Sequence, residues 1–156
     1  MCLVNAKHYC GEVSEHAVIL NEHGEILILR HAGKGNPSLQ GKMHLPGGRL
    51  DMDDPPGSAL LREIEEETGL TDIELILPCS ATRWGFQDPI KYSVTYLAIT
   101  KGRPTPVLPA DEDHEHAEWL PHAKVVAGEF ISSPTMNQAV AEVLIWAKKL
   151  GYLPAA

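Results

Sequence analysis

Apolar side chains recur at helical spacing near the end of the chain, where Met136, Val140, Val143, Leu144 and Ala147 share one face of residues 134–150. Ser133 stands as N-cap, Pro134 at the first helical position and Gly151 beyond the last turn. Elsewhere the apolar pattern is shorter. Residues 16–20 and 25–30 read as paired strands with Gly24 in the turn, and 73–77, 90–99 and 116–120 as further strands. The glycine- and proline-punctuated segments 31–42 and 103–110 read as loops. A second helix is predicted over 55–68, with Asp54 as N-cap, Pro55 at the first position and Gly69 as the stop. Strands on both sides of a central helix, closed by a terminal helix, predict an α/β fold with a mixed sheet between helical layers. A length of 156 residues favours one domain spanning 1–156.

The two helices differ in where their charges lie. Lys148 and Lys149 fill the last turn of the terminal helix, where the helix dipole favours cations. The central helix instead carries Glu63, Glu65, Glu66 and Glu67 in its C-terminal half. Carboxylates there are disfavoured by roughly 0.3–1 kcal/mol each. Glu63 also stands i,i+3 to Glu66 and i,i+4 to Glu67, so like charges crowd one stripe. Arg62 can pair with Glu66 but neutralises only one of the group. A divalent cation is the expected counter-charge, because broken local rules concentrate at functional sites. The bland alternative is a solvated acidic face. Upstream, Gly47 and Gly48 follow Leu45-Pro46 and let main-chain carbonyls come close to a ligand.

The frame Gly48-x5-Asp54-x7-Arg62-Glu63-Ile64-x-Glu66-Glu67-x-Gly69-Leu70 resembles the signature of the Nudix hydrolases, nine fixed positions over 23 residues with one departure among them. The family normally carries Glu where this chain has Asp54, one methylene shorter. His44 stands before Leu45-Pro46-Gly47-Gly48, where relatives often have an aromatic residue. The resemblance implies an α/β/α sandwich with a mixed central sheet. It also implies hydrolysis of a diphosphate linkage with Mg²⁺, or Mn²⁺ as a substitute. Family members commonly add a carboxylate from a later loop, and Glu112, Asp113 and Glu115 are placed to supply it.

The formal net charge is −8, and 12 of the 21 acidic residues fall within residues 51–67 and 111–118. An acidic chain of this kind is a poor partner for nucleic-acid polymers, which demand a basic surface. It can hold a small anionic substrate when metal ions bridge carboxylate to phosphate. A hydrophobic content of 44% with 22% charged residues fits a globular protein, and no apolar run reaches membrane-spanning length. The N-terminus lacks the basic and apolar regions of a signal peptide. Cys2, Cys10 and Cys79 are odd in number and lack paired metal spacing, so a cytoplasmic setting is expected. Cys2, His8 and Cys10 read as a packed or flexible N-terminal segment rather than as ligands.

The expected chemistry follows. Gly48, Glu63, Glu66 and Glu67, with Glu112, Asp113 or Glu115, form the candidate metal set. Either Glu63 or a carboxylate of the 112–115 loop takes the proton of the attacking water. Arg62 orients the glutamates. Arg49 is placed to reach a phosphate, and Trp84 and Phe86, flanking Gly85 in a predicted loop, to stack on a nucleobase. The family's ADP-ribose proline marker and its coenzyme A signature are both absent here, which favours a nucleoside di- or triphosphate derivative as partner. The alternatives are an ADP-ribose or nucleotide-sugar pyrophosphatase, or a nucleotide-sensing module with little turnover, which Asp54 motivates. A diphosphate isomerase lacks its Cys and Glu pair here. A homodimer is compatible with all of these readings.

Overall fold

The computed structural model describes residues 11–51, 53–84, 90–110, 112–131 and 133–154. Cys2, His8, Cys10, Phe86 and Asp111 lie outside the described residues. The strands are β1 (Gly11–Leu20), β2 (Glu25–His31), β3 (Met43–His44), β4 (Gly47–Arg49), β5 (Glu74–Trp84), β6 (Ile90–Ile99) and β7 (His114–Pro121). The helices are α1 (Ser58–Thr68), α2 (His122–Val126) and α3 (Pro134–Lys149).

The expected mixed sheet is present. β1 runs parallel to β6 in register from Gly11↔Ile90 to Leu20↔Ile99, while β2–β7 and β5–β6 are antiparallel. The other edge of β1 is shared. β2 pairs with it at Leu20↔Ile26, beside a turn in which Gly24 takes φ 72°, and β4 pairs with it from Ser14 to His16. The hairpin read from the sequence therefore exists, but its strands then part to other partners.

Alternation along β1 and β2 divides the core between two faces, because successive strand residues point to opposite sides. Ala17, Ile19 and Leu27 face α1, meeting Leu60, Ile64 and Trp119. Val18, Leu20, Ile26 and Ile28 face α3, meeting Val140, Val143, Leu144 and Ala147. A central strand buried on both faces between helices makes the α/β/α sandwich.

α3 follows its pattern: the Ser133 hydroxyl accepts the Met136 N–H at 3.3 Å, and Lys148 and Lys149 fill the last turn. α1 does not start where expected. It begins at Ser58 rather than 55, with Gly57 (φ 78°) as N-cap and no side-chain cap of its own. Pro55 is itself followed by Pro56, and a residue before proline is driven out of the helical region. Asp54 is thereby released from the capping role.

Two strands run further than their sequences suggest. β5 continues through Pro78 to Trp84, so Trp84 ends a strand rather than sitting in a loop. Proline is tolerated there because β5 ends the strand order and shifts register on both sides of residue 78. β1 reaches back through the polar residues Ser14 and Glu15, both buried.

Candidate active site

The glycine pair locks β4 between β1 and α1. Gly47 sits at φ 143°, and a Cβ there would fall 2.1 Å from the Glu15 carbonyl oxygen. A Cβ on Gly48 would stand 3.1 Å from Oε2 of Glu63. Main chain and helix carboxylate can approach this closely because neither glycine has a side chain.

On α1, Glu67 is 6% exposed, and its Oε2 accepts the Gly47 N–H at 3.0 Å. Burial pushes its carboxyl up to about 8, against the pull of that N–H, and the charges of Glu63, Glu112 and Glu66 push the same way. Glu63 is raised too, by partial burial and then by Glu66. Desolvation disfavours the ionised form of both. Glu66 is exposed.

Arg62 is the hub. Its guanidinium grips Asp54 with two bonds of 3.0 Å and stands 3.9 Å from Glu63 and 3.8 Å from Glu66. The Arg62 bonds hold the Asp54 carboxyl below the ordinary aspartate range. The shorter side chain at position 54 thus finds its partner on the second turn of α1, in the bidentate geometry guanidinium prefers.

The loop before β7 lies across the end of α1. The Val107 N–H donates to the Thr68 carbonyl at 2.8 Å, and the Trp119 indole donates to Pro104 at 2.7 Å. This brings Glu112 into a groove of about 610 Å³ with Arg62, Glu65, Glu66 and Pro109. Of the three loop carboxylates anticipated, Glu112 is the one that shares this space. Asp113 accepts the Lys34 N–H at 2.7 Å, and that bond holds its carboxyl low. Glu115 is exposed on β7. Arg49 is 73% exposed in its side chain and stands 3.6 Å from Glu12.

A second concavity, about 300 Å³, opens between the sheet and α3. His16, His44, Thr82, Trp84, Ser93 and Met136 are among its walls. Trp84 is 40% exposed and has the Lys91 ammonium 4.9 Å above its ring. The His16 Nδ1 lies 2.9 Å from the Ser93 hydroxyl, and burial lowers this ring to about 4, keeping it neutral.

Glu15 escaped the sequence reading. Both its carboxylate oxygens accept the Gly57 N–H, at 3.1 and 3.2 Å, and Oε1 also accepts the Tyr96 hydroxyl at 3.1 Å. A buried carboxylate from β1 therefore caps α1, which lacks a cap in its own sequence, and meets the positive end of its dipole. The signal available was a lone acid among the strand residues, uninformative until β1 is packed against α1.

The 8-oxo-dGTP diphosphatase of Escherichia coli (strain K12) is 39% identical over 54 residues, covering 35% of this chain and 40% of that protein. An RNA pyrophosphohydrolase of Acidiphilium cryptum (strain JF-5) is 40% identical over 60 residues, covering 38% and 36%. The chain thus spans well under half the length of these curated relatives. A MutT protein from Methanosarcina mazei Go1 superposes with a TM-score of 0.74 at 21% identity, over 90% of this chain and 98% of that one. A family model described as the NUDIX domain matches residues 13–146, and with the signature carboxylates gathered on α1 the chain belongs to that family.

Proposed function

We propose that this chain is a metal-dependent hydrolase of a diphosphate linkage in a nucleoside di- or triphosphate derivative. The observation that carries the reading is the meeting of Glu63 and Glu66 around Arg62, with Glu112 in the same groove and Glu67 buried on the same helix against the Gly47 amide. Such a set of hard oxygen donors suits Mg²⁺, which prefers carboxylates, retained water and substrate phosphate. Glu63, Glu66 and Glu67 would hold it, with the Gly48 carbonyl, Glu112, Asp113 and Glu115 as further candidates. When bound, the ion supplies an acidified water and neutralises charge developing on phosphate oxygens.

The chain's own residues do the rest. The Gly47 N–H orients Glu67, and Arg62 holds Glu63 and Glu66 in place while Asp54 fixes the guanidinium. Glu63 or Glu112 takes the proton of the attacking water, and partial burial with the neighbouring Glu66 raises the basicity of Glu63. The nucleoside enters the cavity that Trp84 borders, within the size range of small-ligand pockets. Arg49 contributes a surface charge for phosphate, and Phe86, beside Trp84 in sequence, is a second stacking candidate. The paired state of Asp54 supports turnover over a sensor role. The reading also takes the chain as one domain, acting in the cytoplasm.

The test is product release from nucleoside triphosphates, dinucleoside polyphosphates, nucleotide sugars and ADP-ribose, with and without Mg²⁺. Mg²⁺-dependent phosphate products from one class are expected. Tight nucleotide binding without product would overturn the enzyme in favour of the sensor.

A further inference from the structure

Three histidines that the carboxylate site does not use converge at one end of the sheet. β2 pairs with β7 so that His31 opposes His114, across a register shift between Arg30 and His31. β2 also pairs with β3, setting His44 opposite Leu29 and so on the same face as His31, two residues on. A ring nitrogen from each histidine lies within 4.8 Å of those of the other two. The Nε2 atoms of His44 and His114 stand 3.0 Å apart, and the His31 and His44 rings stack with centroids 3.9 Å apart.

The proton count leaves the cluster short of partners. Nδ1 of His44 donates to the Leu45 carbonyl at 2.8 Å, so in the neutral ring its Nε2 carries a lone pair. His114 must then supply the one N–H between the two rings. His114 is 9% exposed, and its Nδ1 is buried with no hydrogen-bond partner, as is Nδ1 of His31. Buried ring nitrogens without partners are costly and uncommon.

We propose that His31, His44 and His114 form a three-histidine site for a borderline transition cation, with Zn²⁺ foremost. Imidazole nitrogens select such ions over Mg²⁺, whereas the hard carboxylate oxygens of α1 also accept Mg²⁺. Nitrogens on a tetrahedral Zn²⁺ stand ~3.3 Å apart, close to the His44–His114 spacing, so closing the set takes a modest rotation of His31. The scaffold is already held: the Ala32 N–H donates to the Asp113 carbonyl at 3.1 Å, and the Leu45–His44 bond plays the orienting role of an outer shell. His31 and His44 also line the cavity between sheet and α3, so the fourth position faces that space. Bound there, the ion ties β2, β3 and β7 together and offers a coordination position to an oxygen or nitrogen donor of the cavity's occupant.

The test uses the untagged full-length chain, stripped with a chelator and titrated with Co²⁺ as a visible-absorption probe for Zn²⁺. One equivalent with the intense bands of a tetrahedral or five-coordinate ion is expected, displaced by Zn²⁺ but not by excess Mg²⁺. Glu67→Gln should retain it. His31→Asn and His44→Asn should each weaken binding about a hundredfold. His31 is only half-buried, so the first variant stays informative if a change at His114 unfolds the chain. No Co²⁺ uptake, or weak octahedral bands abolished by Mg²⁺ or by Glu67→Gln, would overturn the proposal.

Discussion

Under the proposed function, Glu67 serves two requirements that oppose each other. As a buried carboxyl raised to about 8 it is protonated at neutral pH when no cation is present, yet a metal ligand must be ionised. The sign of the resulting pH dependence follows directly. The folded chain holds this proton more tightly than the unfolded chain, whose glutamates titrate near 4.5. The favourable contribution is complete below that value and is lost as pH rises towards about 8, an effect on the order of 4 kcal/mol. Glu67→Gln keeps an oxygen for the Gly47 N–H and removes the titration. In chelator, the variant is expected to match the parent near pH 5 and to melt higher at pH 8. It should also lose about a hundredfold in Mg²⁺-dependent turnover, and Mg²⁺ should raise the parent's Tm at pH 8 but not the variant's. Thermal melts across pH, with and without Mg²⁺, check both; a variant less stable than the parent at pH 8 would contradict the assignment.

At the scale of elements, the site depends on how closely β4 slides between β1 and α1. Gly47→Ala brings a methyl to 2.1 Å of main chain at a positive φ and should destabilise by roughly 3 kcal/mol or more. Gly48→Ala meets only the end of the flexible Glu63 side chain at 3.1 Å, so it should fold near normally while turnover falls as that carboxylate is displaced. Urea midpoints and kcat/KM for the pair should therefore separate stability from activity. Glu15→Ala removes the cap of α1 and leaves the Gly57 N–H and Tyr96 hydroxyl without their acceptor, for an expected loss of about 1–3 kcal/mol in urea denaturation. The same contrast between local and distant causes explains what the chain revealed in advance. α3 and the Glu63–Glu66–Glu67 stripe were legible because cap, period and charge all lie within a few residues. The start of α1 was misread because the Pro55-Pro56 pair outweighs the cap signal of Asp54. β5 was cut short because proline is disfavoured inside a strand, and nothing local announces an edge position. The Glu15 cap and the histidine cluster were illegible because the first is made by packing β1 against α1 and the second by strand register, joining residues 42 and more than 80 positions apart.

At the scale of the whole molecule, charge and core are arranged for different ends. The two apolar clusters clamp the sheet from both faces, while the acids gather at one end of α1 and the loop above it, within a net charge of −8. A field of that sign repels phosphates until cations intervene, and it repels a polyanion more than a mononucleotide because more phosphates feel it. The relative named for RNA pyrophosphohydrolysis makes the comparison pointed, since a 5′-triphosphorylated oligoribonucleotide and a nucleoside triphosphate offer similar reacting groups. With Mg²⁺ held constant, kcat/KM should be higher for the mononucleotide at low salt. Raising ionic strength from about 0.01 to 0.1 M shortens the screening length from ~30 to ~10 Å. Repulsion of the distant phosphates then fades, so oligonucleotide turnover should rise several-fold while mononucleotide turnover changes little. A basic docking surface would give the opposite slope, with polymer turnover falling as salt releases it. The direction of that slope decides whether the acidic rim selects small substrates or is merely tolerated by large ones.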